Sequence, residues 1–232
     1  MEVEKYRQYW KPNKVKILLL AESHVYTNQE DFNKKIRRTI LRLLPNYPSQ
    51  FTRFVYCLGY GESDLLENRM SNLENRGTPD YWKIFSACAG KDKREVLKTK
   101  TLEINERFRN KINLLEELKE RGIWLLDASI VAVNKTKKIP TKCAIIKSCW
   151  ESYLKKTIQD AMPERIIVIN YKTIEDSILS NLSQLNIPLH IIPQPRAQTQ
   201  EYYNQITRLC GENPPKPKEI EIKKSNKQKV LV

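Results

Sequence analysis

The sequence predicts an α/β protein whose sheet is mostly parallel and covered by helices on both faces. Short apolar, β-branched runs recur along the chain without the polar alternation of a strand that faces water on one side. Between them lie longer stretches with apolar residues near helical spacing, and such alternation builds strand–helix–strand units. Of the 232 residues 40% are hydrophobic and 29% charged. That is ordinary globular composition and excludes a collagen-like or low-complexity polymer. A chain of this size can bury roughly 70% of its unfolded surface around one core.

The elements follow in order. Residues 15–20 (VKILLL) form the first strand, with Lys16 the only polar residue. Residues 29–44 have helical spacing. Residues 54–58 (FVYCL) read as a second strand, followed by the turn Gly59-Tyr60-Gly61. A helix over 104–121 stops at Gly122, directly before the third strand, 123–126 (IWLL). A helix over 150–160 leads to the fourth strand, 165–169 (RIIVI). A weaker run at 189–192 (LHII) precedes Pro193, and a helix over 198–210 closes the folded part. Residues 1–212 read as one domain. Residues 213–232, with three prolines, six lysines and two glutamates, read as a flexible basic tail.

No window of 18 consecutive apolar residues occurs, and the start MEVEKYRQYW lacks the apolar stretch of a signal peptide. The five cysteines include no CxxC pair and no zinc or iron–sulfur spacing. These features predict a cytoplasmic protein with reduced thiols, no metal or organic cofactor, and no membrane partner; a monomer is the expected state, which the sequence leaves open.

Charge points to the partner. The net charge is +14, and the tail's +4 leaves +10 on the remainder. Such an excess attracts polyanions, nucleic acid above all, although a generally basic surface is a competing reading. Two clusters stand out: Lys34, Lys35, Arg37, Arg38 and Arg42 within the 29–44 helix, and five lysines without an acid over 134–147.

In parallel sheets ligands bind outside the carboxyl ends of the strands. The strand ends here carry Glu22, Ser23 and His24; Gly59, Gly61 and Glu62; Asp127; and Pro193-Gln194-Pro195-Arg196. Converging on one edge, Glu22, His24, Glu62, Asp127, Gln194 and Arg196 would make a site of several acids beside one histidine and one arginine.

The order of these fragments resembles the uracil-DNA glycosylase superfamily over roughly residues 14–210. There a strand leads into a GQDPYH or GEAPG type loop, and here VKILLL leads into AESHV. LLD at residues 125–127 stands where the family has LLN, and HIIPQPR at 190–196 where it has a strand and HPSP. The resemblance implies a three-layer α/β/α sandwich around a four-stranded parallel sheet, with the active site at the carboxyl edge. It also shows departures. Ile192 occupies the place of the HPSP histidine, with His190 about 6.6 Å back along an extended strand. Asp127 replaces the asparagine that reads uracil. Ser23 stands where some relatives carry a catalytic Asp or Asn, and His24 where they carry Pro.

The expected roles follow from this. Glu22 activates water or stabilises a sugar cation, or else caps the strand end; Ser23 joins it in the catalytic loop. His24, Glu62, Asp127 and Gln194 bind the base or its sugar. An ionised Asp127 accepts only, which suits a base edge with two donors; protonated by burial it suits uracil or hypoxanthine; as a helix cap it does neither. Tyr81 and Trp82 either stack on a base or belong to the core. Arg196 with Lys135, Lys137 and Lys138 holds phosphates. The expectation is a DNA glycosylase. The alternatives are a nucleic-acid-binding protein without catalysis, for DNA or RNA, and a hydrolase of free nucleosides or nucleotides.

Overall fold

The computed structural model describes residues 2–71, 73–99, 102–170, 172–193 and 199–211. The chain opens with a helix, α1 (Glu2–Tyr9), whose buried face carries Val3, Tyr6 and Arg7, continued by buried Trp10. These positions are spaced i, i+3, i+4, i+7, the seam of a core-facing helix. Arg7 is the one charged residue on it.

The first strand, β1 (Ile17–Ala21), is buried throughout. Two short helices follow, α2 (Gln29–Phe32) and α3 (Arg38–Leu41). The single helix expected over 29–44 is therefore broken. Asn28 caps α2 through the Asp31 amide, and the chain then extends so that Lys35 and Ile36 bridge Gln50 and Leu66. Ile36 is thereby buried, and the basic cluster of 34–42 does not share one helix face.

Residues 54–58 are not a strand, contrary to the reading of FVYCL. They run through the core as successive turns (Cys57 N–H to Phe54 O, 2.9 Å; Tyr60 N–H to Cys57 O, 2.8 Å). The buried Tyr47 hydroxyl donates to Tyr56 O and accepts from Leu58 N–H, each at 2.7 Å, replacing a strand partner. Residues apolar on every side are satisfied equally by a turn buried on every side, so periodicity does not separate the two.

Next come α4 (Pro79–Ala89), α5 (Ile104–Glu120) and β2 (Ile123–Asp127). Gly122 ends α5 with φ +78°, and a Cβ there would meet Lys14 O at 2.8 Å, so the expected stop is a glycine by necessity. The helix α6 (Ile139–Cys149) then runs through one π turn (Trp150–Leu154) into α7 (Lys155–Ala161). Residues 139–147 of the lysine-rich segment are thus helix, and only 134–138 are loop. β3 (Arg165–Asn170), α8 (Lys172–Ser183), β4 (Leu189–Pro193) and α9 (Gln200–Gly211) complete the chain.

The sheet has four strands in the order β2-β1-β3-β4, every neighbouring pair parallel. The connection β1→β2 runs one way along the sheet and β2→β3→β4 the other. Right-handed crossovers then put the intervening helices on opposite faces. Accordingly α4 packs on α5 and α9, and α6 packs on α8. The direction reverses between β1 and β3, which is where an open parallel sheet leaves a crevice outside its carboxyl ends. β2 is an edge strand, and its Leu125 N–H is covered by the Tyr56 hydroxyl at 2.9 Å. Among the described residues no helix is long and apolar enough to cross a membrane.

Candidate functional site at the carboxyl edge of the sheet

A cavity of about 370 Å³ opens at that crevice. Glu22, Ser23, His24, Arg53 and Asp127 supply polar groups to its wall, and Phe54, Tyr81, Ile84, Leu125 and Ile169 supply apolar ones. The register pairs Ala21 with Asp127, so the residues that leave β1 begin level with the end of β2. Ser129 N–H donates to Glu22 O at 3.0 Å, which holds the two strand exits together.

Asp127 is 3% exposed and Arg7, from α1, is 1% exposed. Arg7 Nη2 donates to Asp127 Oδ2 at 2.5 Å, and His24 Nδ1 lies 3.3 Å from the same oxygen. Burial pushes the Asp127 carboxyl up, but the Arg7 charge, with His24 after it, outweighs burial and holds the group below the ordinary carboxylate range. The protonated Asp127 that would suit uracil or hypoxanthine is therefore not the form this environment favours. An ionised carboxylate only accepts, so His24 Nδ1 must carry the proton, and neutral His24 then presents Nε2 as an acceptor. Asp127 Oδ2 is thus engaged by Arg7 and His24, while the residue lines the cavity.

The network extends outward. Arg7 Nη1 donates to Glu4 Oε2 at 3.2 Å, and the Tyr153 hydroxyl, from the π turn, donates to the same oxygen at 2.8 Å. Burial and then Glu4 push the Tyr153 hydroxyl up to about 12, so it remains a donor. Arg7 also lies over the Phe54 ring at 5.1 Å, and His24 meets that ring edge-on at 6.2 Å. The N-terminal helix thus belongs to the site. Arg7 is one residue that sequence reasoning missed, as it missed Thr173 and Lys142 beside Glu22; a lone charge on the apolar seam of residues 3–10 was the signal for Arg7.

Glu22 sits just outside β1. The Thr173 hydroxyl, from α8, donates to its Oε1 at 2.5 Å, and Lys142 Nζ, from α6, lies 3.6 Å from the same atom. Oε2 has no partner among the described residues. The carboxylate is held by side chains of two helices, not by loop amides, so it is not the cap of its own strand end. Ser23 Oγ accepts from Val133 N–H at 3.3 Å and pins the β2–α6 loop beside the cavity. Lys135, Lys137 and Lys138 are exposed on that loop, with Lys135 Nζ 6.0 Å from the Tyr26 ring. Tyr81 reaches the cavity wall while its neighbour Trp82 is core.

Glu62 does not converge with these groups. It is 2% exposed, and its carboxylate takes both Arg107 Nε and Nη2 at 2.8 Å and Lys111 Nζ at 2.7 Å. The failed strand at 54–58 explains the displacement: without it, residue 62 is not a strand exit. Gln194 and Arg196 lie outside the described residues. Among the described residues no cluster of His, Cys, Asp and Glu is placed to hold a metal ion. Comparison with protein-family models, curated proteins and solved structures finds no match.

Proposed function

We propose that this protein is a divergent member of the uracil-DNA glycosylase-like superfamily that hydrolyses the N-glycosidic bond of a base in DNA. The observation that carries the reading is the gathering of Glu22, His24 and Asp127 around one aromatic-walled cavity at the carboxyl ends of β1 and β2. The volume is within the range of small-ligand sites. The four-stranded parallel sheet supports the same reading, because the family resemblance implies that sheet and that edge.

In this reading Glu22 Oε2 takes a proton from water while the water oxygen bonds to the anomeric carbon. The C–N electron pair leaves with the base, whose nitrogen then takes the proton that Glu22 removed from the water. Thr173 and Lys142 hold Glu22 Oε1 and aim the other oxygen. Held through Nδ1–H by Asp127, His24 places its imidazole against the base and accepts from it at Nε2. This replaces the imidazole that relatives carry where buried Ile192 stands here. Phe54 and Tyr81 flank the extruded base, and Lys135, Lys137 and Lys138 track phosphates, at a cost of base extrusion of a few kcal/mol.

The test is a panel of single- and double-stranded oligonucleotides, each with one altered base, followed by alkali to cleave abasic sites. Cleavage at one lesion that is lost in Glu22→Gln, with DNA affinity unchanged, is the expected result. Salt-dependent binding with no abasic product on any substrate refutes the hydrolase and leaves a binding protein.

A further inference from the structure

A second cavity, about 270 Å³, lies beyond the wall formed by Gly77, Thr78 and Pro79, residues that line both cavities. Its charged lining is Arg76, Lys98 and Lys111 against the single carboxylate Glu62. That carboxylate is already saturated by Arg107 and Lys111. Arg76 and Lys98 are exposed and have no ion-pair partner among the described residues. Of the acids near Arg107, Asp64 is engaged by Arg69 at 3.0 Å, and neither it nor Glu103 lines the cavity.

Two further features point to an anion. The Thr78 hydroxyl is buried without a hydrogen-bond partner, and Thr78 occupies the N-cap position of the eleven-residue helix α4 without capping it. That helix end carries partial positive charge. Lys111 Nζ, 4.6 Å from the Trp82 ring, spends only one donor on Glu62, and burial pushes its amine below the ordinary lysine range. An incoming anion offsets that cost. The other basic hollow, beside Lys83, Lys91 and Arg94, differs: those cations are paired with Asp80, Glu117 and Asp92.

We infer that the second cavity binds a phosphate group, held by Arg76, Lys98 and Lys111, of the ligand whose base occupies the first cavity. The ligand's identity rests on the reading of the first cavity; the phosphate preference rests on the second cavity alone. The phosphate belongs either to a strand or to a free nucleotide.

The experiment titrates the full chain at low salt with inorganic phosphate, deoxyuridine, deoxyuridine 5′-monophosphate and a trinucleotide. It compares the wild type with Arg76→Ala/Lys98→Ala and with the charge-matched Lys16→Ala/Lys155→Ala. Both doubles change exposed residues, and equal melting temperatures confirm their folding. The expected result is at least a tenfold loss of affinity for phosphate and for the phosphorylated probes in the first double only, as for a lost charge-assisted contact. Tighter monophosphate than trinucleotide identifies a free nucleotide, and the reverse a strand. Equal weakening in both doubles, or none in either, overturns the subsite. If phosphate binding depends on Arg76 and Lys98 but deoxyuridine neither binds nor competes, the subsite stands and the reading of the first cavity fails.

Discussion

Arg7→Met removes the guanidinium that neutralises Asp127 while keeping most of the buried stem. The pair spans 2.5 Å between groups 1% and 3% exposed, so water cannot replace the lost partner. Removing one member of such a pair costs about 3–5 kcal/mol, to which the stacking of Arg7 over Phe54 adds roughly 0.5–2. At about 2–4 °C per kcal/mol for a chain of this length, the ion-pair part alone lowers the melting temperature by about 6–20 °C. The pH dependence follows from the direction of the Asp127 shift. In the wild type its carboxyl is lowered, so the stability it contributes is complete above about pH 4, the unfolded value, and is lost as pH falls through the folded value. Without Arg7 burial dominates and the folded value rises, so the defect is largest at neutral pH and shrinks as acid protonates Asp127. Guanidinium melts of Arg7→Met, Asp127→Asn and the double variant measure this. The double is expected to lose less than the sum of the singles, by about 1–3 kcal/mol. Additive losses, or a defect independent of pH, would refute the claim that the pair is one energetic unit.

Two further expectations concern the loops around the second cavity. Glu62→Gln leaves Arg107 and Lys111 buried without their anion and costs about 3–5 kcal/mol in chemical denaturation, whereas Lys111→Met leaves the bidentate Arg107–Glu62 pair and costs far less; equal costs contradict this. Gly77→Ala forces a Cβ to within 2.8 Å of Gly61 Cα at φ +71°, whereas Gly90, at φ +69°, has open space around it. Thermal melts should therefore show Gly77→Ala losing more than Gly90→Ala, whose cost is only the backbone's, of order 1 kcal/mol.

The crossing of Gly61 and Gly77 also shows where sequence reasoning stopped. The Gly59-Tyr60-Gly61 turn was legible, but Asn75 makes it rigid. Its side chain accepts from Gly61 N–H at 2.7 Å and donates to Gly59 O at 2.8 Å from fourteen to sixteen residues away. Similarly, residues 54–58 carry the composition of a strand. What decides their backbone is a hydroxyl from Tyr47, which no local pattern announces.

By itself the sequence determined the runs that become β1, β2, β3 and β4, although it also read 54–58 as a strand, together with the long helix ended by Gly122 and the placing of Glu22, Ser23, His24 and Asp127 at strand exits. Those properties are local: apolar runs, helical spacing and a glycine at positive φ act over a few residues. Only the tertiary structure decided which charges meet. It joined Arg7 to Asp127 across 120 positions and Thr173 to Glu22 across 151, and it withdrew Glu62 into its own cluster with Arg107 and Lys111. A buried charge must find its counter-charge wherever the fold brings one within reach. That partner is fixed by packing, and the sequence records packing only in aggregate.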